Sequence, residues 1–150
     1  MKTSKEGINL IKQFEGVVKN PYKCPAGYWT IGVGHLITRD SKLPQEWNKL
    51  LSDDNIDKLL EQDLIKFENG VIRLLYPIKP TQSEFDALVS FSFNLGLGTF
   101  QRSTVRSAFI RGNKKRASEV LLMYRRAGGR ILRGLVLRRQ AEYVLFMRDK

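Results

Sequence analysis

The chain has one cysteine, Cys24, and one histidine, His35, in 150 residues. No intramolecular disulfide can form, and neither a zinc cluster nor a CxxC redox motif is available, so no metal and no cofactor is expected. The fold must stand on packing. No segment approaches the roughly 18 apolar residues of a membrane span. The start, Met1-Lys2-Thr3-Ser4-Lys5-Glu6-Gly7, lacks the apolar run and small-residue cleavage site of a secretory signal, which gives an expectation of synthesis in the cytoplasm. Internal repeats and low-complexity tracts are missing too. Acid is scarce toward the end of the chain: residues 1–100 hold 12 Lys/Arg against 12 Asp/Glu, whereas residues 101–150 hold 14 against 3. The entire +11 excess therefore lies in the last third.

A basic face of this kind attracts polyanions by long-range steering, and the candidates are nucleic acid, acidic lipid or an anionic cell wall. No RNP, helix-turn-helix or zinc-finger motif is present, so no specific nucleic-acid partner is expected. A weak anionic membrane contact through an amphipathic C-terminal helix stays open. The composition, 42% hydrophobic and 27% charged, is that of a globular chain able to bury a core.

Thr3 with Glu6 reads as a capping box, and Ile8, Leu10, Ile11 and Phe14 give helical spacing up to a stop at Gly16, which puts Glu15 on the last turn. Residues 20–38 change character. Asn20-Pro21 and Pro25-Ala26-Gly27 are turn signals, while Tyr22, Tyr28, Trp29, Ile31 and Val33 favour a Gly-rich β-hairpin or three-stranded sheet. From Ser52 the apolar spacing predicts a long helix ended by Pro77 and weakened at Gly70. Thr81 and Glu84 form a second capping box before a stretch apolar on so many sides that it should be the buried central helix, broken by Gly96 and Gly98. Short helices near Ser103–Arg111 and Lys114–Tyr124, a Gly128-Gly129 turn and a helix around Leu135–Arg148 complete a mostly helical α+β chain. The expected organisation is one domain over 1–150. It has a β-containing lobe over about 14–60, a connecting helix over about 53–76, and a helical lobe over about 77–150 plus 1–13. A cleft between lobes is the natural ligand site.

Three side chains in the first third bear chemistry. Glu15 is followed by Cys24 nine positions on and Thr30 fifteen on. A glutamate at a helix end beside aromatics suits a general acid in glycoside hydrolysis, with a second group to activate water or attack the anomeric carbon. The same position suits a solvated surface glutamate, and position alone leaves both open.

Glu15, the residue at 24 and Thr30, with Thr30-Ile31-Gly32-Val33-Gly34-His35 around them, resemble the site of the phage-type lysozymes, the muramidase endolysins. The stretch Leu88-Val89-Ser90-Phe91-Ser92-Phe93-Asn94-Leu95-Gly96, with Gly98-Thr99-Phe100 and Ser103-Thr104, is similar to that family's central helix and the loop after it. Ala127-Gly128-Gly129 and Gly134-Leu135-Val136, with Arg138, Arg139 and Glu142, resemble its C-terminal segment. The resemblance runs through nearly the whole chain in order. It implies a lysozyme-like fold and cleavage of the β-1,4 bond between N-acetylmuramic acid and N-acetylglucosamine in peptidoglycan.

The resemblance assigns Glu15 as general acid, with Cys24 and Thr30 positioning or activating water. The departure is Cys24, because the family's usual residue there is Asp. A free thiol has a pKa of about 8.5 and is only a few per cent thiolate at neutral pH. With Lys23 or a C-terminal arginine nearby the thiolate would gain; otherwise Cys24 is a small apolar filler and Thr30 alone orients water. Two mechanisms are open: an inverting one with water held by Cys24 and Thr30, and a retaining one through a sulfur-linked glycosyl intermediate. By resemblance His35 is structural and pairs with Asp63, while Leu36, Phe93, Asn94 and Ser103 line the saccharide groove. Arg130, Arg138 and Arg139 are the candidates to approach Glu15, and each taken singly reads as a solvated member of the basic face.

Two other functions compete. A lytic transglycosylase cleaves the same bond with one Glu and leaves a 1,6-anhydro ring. A non-enzymatic protein binding nucleic acid or membrane would use the basic face alone. The lysozyme reading carries further expectations: a monomer that binds peptidoglycan glycan strands, with no appended wall-binding module. It would be made in the host cytoplasm and reach the periplasm through a pore formed by another protein.

Overall fold

The computed structural model describes residues 1–148, so the last two positions of the expected helical lobe lie outside the described residues. The elements are α1 (Lys5–Glu15), β1 (Val18–Lys23), β2 (Trp29–Gly32), β3 (His35–Thr38), a 3-10 turn (Gln45–Trp47), α2 (Asp53–Leu75), α3 (Gln82–Leu95), α4 (Leu97–Arg102), α5 (Thr104–Ile110), α6 (Lys114–Leu121), β4 (Arg126–Ala127), β5 (Arg130–Ile131) and α7 (Arg133–Phe146). Among the described residues no helix is long and apolar enough to cross a membrane. The chain divides into two compact units. One is Ile11–Ile65; the other joins Met1–Leu10 to the residues described from Lys66 onward.

The smaller unit is built on an antiparallel sheet in the order β1-β2-β3. Tyr22 pairs with Thr30, and Thr30 with Leu36, so the three lie side by side across the sheet. Gly32 and Gly34, both at φ +68°, supply the left-handed backbone for the tight β2–β3 turn, which a β-branched residue would adopt only under strain. Ile31 and Val33 are buried, as are Ile56, Leu60 and Leu64 of α2 at helical spacing.

In the larger unit α3 is the core element: Phe85, Ala87, Leu88, Val89 and Phe91 are all fully buried. It packs most extensively on α7. Phe91 meets Phe100 and Tyr124 edge-on at 6.2 and 5.1 Å between centroids, and Phe109 meets Phe146 at 6.0 Å, geometries that aromatic quadrupoles favour. The Thr81/Glu84 capping box is formed, with Glu84 N–H donating to the Thr81 hydroxyl at 3.2 Å and Thr81 N–H to the Glu84 carboxylate at 2.9 Å.

Three local expectations are corrected. The Thr3/Glu6 box does not form. Thr3 instead donates through its N–H and its hydroxyl to Glu68 Oε2, each at 2.7 Å, and Glu6 pairs with Arg148. Ser4 takes the cap position, held by Asp86, and accepts a long bond from Gly7 N–H. A tertiary carboxylate has won over the local one. Gly98 does not break α3 but lies inside α4; Gly96, at φ +95°, makes the break alone. Gly70 leaves α2 intact, because it admits Leu97: a Cβ there would sit 2.5 Å from Leu97 Cδ1.

Candidate active site

Glu15 is the last residue of α1 and is half-buried. Gly16, at φ +82°, ends the helix beside it and returns its N–H to Lys12 at 2.9 Å. Gly34 in the β2–β3 turn faces the carboxylate: a Cβ on Gly34 would lie 3.8 Å from Glu15 Oε1. The glycine thus serves the turn and leaves space at the acid.

Cys24 sits where β1 turns toward β2. Its backbone N–H donates to the Tyr28 carbonyl at 2.9 Å, and Gly27 N–H donates to the Cys24 carbonyl at 2.8 Å. This tight loop brings backbone N–H groups near the sulfur. The thiol pKa is held below its ordinary value, chiefly by the Tyr28 N–H; burial opposes the shift, and the N–H groups of Ala26 and Gly27 and the Thr30 hydroxyl assist it. The expected cationic helper is not the cause. Lys23 lies over the Trp29 ring at 5.4 Å instead.

Thr30 is buried, on the strand beside this loop, and its hydroxyl donates to the Tyr28 carbonyl at 3.0 Å. A hydroxyl has one proton. While Cys24 is a thiol that proton belongs to Tyr28; when the sulfur is charged, turning it to Sγ is the stronger, charge-assisted choice. In either state the Thr30 oxygen keeps lone pairs to accept from a further donor.

His35 Nδ1 meets Asp63 Oδ2 at 2.8 Å, and its ring stacks on Trp47 with centroids 5.4 Å apart. The histidine thus fastens β3 to α2 and to the 3-10 turn. Leu36, lateral to Thr30, is 42% exposed. Glu15, Cys24, Thr30, His35, Leu36 and Asp63 all belong to the smaller unit.

Phe93, Asn94 and Ser103 belong to the larger unit. Phe93, half-buried at the end of α3, rests edge-on against Phe67 at 5.2 Å. Asn94 Oδ1 accepts from Arg139 at 2.8 Å, which fixes its amide. Ser103 is buried, donating to the Phe100 carbonyl at 2.7 Å and accepting from Arg106 N–H at 3.1 Å as the cap of α5. Its hydroxyl holds the loop's shape.

Arg138 and Arg139 are not members of a solvated basic face. Both are buried around the buried Glu142. Arg139 Nε meets Glu142 Oε1 at 2.7 Å and Nη2 meets Oε2 at 3.1 Å; Arg138 Nε is 3.3 Å from the same carboxylate, which also accepts from the Ser90 hydroxyl at 2.6 Å. Arg138 reaches the Ser90 carbonyl as well, at 3.2 Å. Burial pushes the Glu142 carboxyl up, opposed first by the charge of Arg139, then by the Ser90 bond and Arg138. The cluster ties α7 to α3, and its spacing, Arg138 and Arg139 four and three residues before Glu142, was the sequence signal for it. Arg130, on β5, is exposed. Among the described residues no group of three or more His, Cys, Asp or Glu side chains is arranged to hold a metal ion.

A small sheet followed by a long helix and a helical unit, with an acid at the end of the first helix, defines a lysozyme-like fold. The muramidase domain of SpmX from Asticaccaulis excentricus superposes with a TM-score of 0.83 at 32% identity, covering 97% of each chain. A mutant of P22 lysozyme superposes with a TM-score of 0.85 at 30% identity, covering 98% of this chain and 99% of that one. The chain belongs to the phage lysozyme family, whose model matches residues 12–142. It is 40% identical to the endolysin of Bacillus phage B103 over 98% of its own length and 54% of that protein. The chain spans about half the length of the first curated relatives it matches.

Proposed function

We propose that the protein is an endolysin that hydrolyses the β-1,4 bond between N-acetylmuramic acid and N-acetylglucosamine in peptidoglycan, lysing the bacterial cell. Glu15 donates a proton to the leaving glycosidic oxygen. Cys24, as thiolate, takes a proton from the attacking water on the opposite face of the sugar, and Thr30 orients that water. Family membership supports the reaction class. The observation that carries the residue roles is the set of N–H groups at Cys24: it favours a negative sulfur at a place where the reaction needs a base. The Thr30 hydroxyl beside it donates to the Tyr28 carbonyl and its oxygen can still accept from a water, which favours inversion over a sulfur-linked intermediate.

Leu36, Phe93 and Asn94 contribute to saccharide binding, with Ser103 shaping the loop and the His35–Asp63 pair holding the sheet. The basic residues outside the Glu142 cluster steer the enzyme, acting as a monomer, to anionic wall. Membrane contact is weak, and a pore protein gives access to the periplasm.

The test is release of new reducing ends from purified walls by wild type, Glu15→Gln, Cys24→Ser and Cys24→Asp across pH. Glu15→Gln should be inactive. Cys24→Asp should keep activity while losing the limb that tracks thiol ionisation. Full activity in Cys24→Ser would remove the cysteine from the mechanism, and 1,6-anhydro products would replace hydrolysis by transglycosylation.

A further inference from the structure

A groove of about 390 Å³ opens in the smaller unit between the 3-10 turn and the first turns of α2, and none of its lining residues is Glu15, Cys24, Thr30 or Leu36. Its lining combines the apolar Trp47, Leu51 and Leu59 with the polar Glu46, Lys49, Asn55, Lys58 and Gln62. Asn55, Lys58, Leu59 and Gln62 are spaced i, i+3, i+4 and i+7, so they share one face of α2. Trp47 is held by its stack on His35, itself fastened to Asp63, so its ring is pre-oriented and loses little freedom on binding.

We infer that this groove is a second saccharide site, which holds a β-1,4-linked strand of N-acetylated amino sugars away from the residues that cleave it. An immobilised aromatic offers an apolar surface to a sugar ring. The amides of Asn55 and Gln62 each donate and accept, as sugar hydroxyls and N-acetyl groups require. They stand two turns apart, about 10 Å along the helix, a span comparable to two sugar rings. Glu46 accepts from hydroxyls. Lys49 and Lys58 line the groove and complement the carboxylates that a peptidoglycan strand carries. Holding the polymer at two points raises the local concentration of the next bond to be cut. The inference deepens the muramidase reading and rests on it for the identity of the polymer.

The experiment is a backbone-amide NMR titration of the full chain carrying Glu15→Gln, with the β-1,4-linked tetramer of N-acetylglucosamine as probe. Two sets of shifts are expected, one around Glu15 and one over residues 46–62. Adding Asn55→Ala with Gln62→Ala should weaken the second set's apparent Kd about five- to tenfold and leave the first unchanged. Both positions are exposed on a helix and favour alanine. Silence over residues 46–62 would overturn the site. So would shifts there that survive the double substitution, or that appear with the free stem peptide and not with the sugar. Failure of the enzymatic reading shows separately, as wild type that releases no reducing ends.

Discussion

Replacing Glu142 by Gln keeps the shape of the side chain and removes its charge from among Arg138, Arg139 and Ser90. The carboxylate is fully buried, Arg139 likewise, and Arg138 is 3% exposed, so water cannot replace the missing charge. The new amide N–H2 would also face guanidinium N–H groups, donor against donor. Breaking a buried pair of this kind costs about 3–5 kcal/mol, a large part of the roughly 5–15 kcal/mol that holds a typical domain together. At about 2–4 °C per kcal/mol for a chain of this size, the melting temperature should fall by roughly 6–20 °C. Thermal unfolding followed by circular dichroism reads this directly. The triple replacement Arg138→Leu, Arg139→Met and Glu142→Leu should recover most of the loss, because the cost lies in unpaired buried charge rather than in missing attraction. A Glu142→Gln protein melting within about 2 °C of wild type would refute the reasoning.

Alkylation of Cys24 should show a midpoint below that of a free thiol, since the backbone N–H groups favour the thiolate; a midpoint at or above it would remove the N–H set as a cause. The folded value being the lower one, any stabilisation from Cys24 is present above the unfolded pKa and fades as pH falls through the folded one, a dependence that Cys24→Ser should abolish in denaturant titrations. Gly70→Val should destabilise α2 against α4 by about 1–3 kcal/mol through overpacking on Leu97, read from the urea midpoint, whereas an unchanged midpoint would mean Leu97 moves aside freely. Thr81→Ala should cost about 0.5–2 kcal/mol by uncapping α3, with thermal melting as the check.

The sequence by itself determined the helix-end position of Glu15, the strand character of residues 20–38, the long helix before Pro77 and the capped core helix after Thr81. Each rests on interactions between neighbours in sequence: capping, apolar period and turn chemistry. The order of its motifs was enough to place the chain in its family. Tertiary structure decided what depends on partners distant in the chain. Glu68, 65 residues away, took Thr3 from its local cap, because a carboxylate accepting two bonds outweighs one within a turn. Arg138 and Arg139 read as surface cations until α3 brought Ser90 to Glu142 and closed water out. The lone cysteine is the sharpest case. Composition makes it a weak base, and only the path of the loop, which brings the Tyr28, Ala26 and Gly27 N–H groups near the sulfur, holds its pKa below the ordinary thiol value.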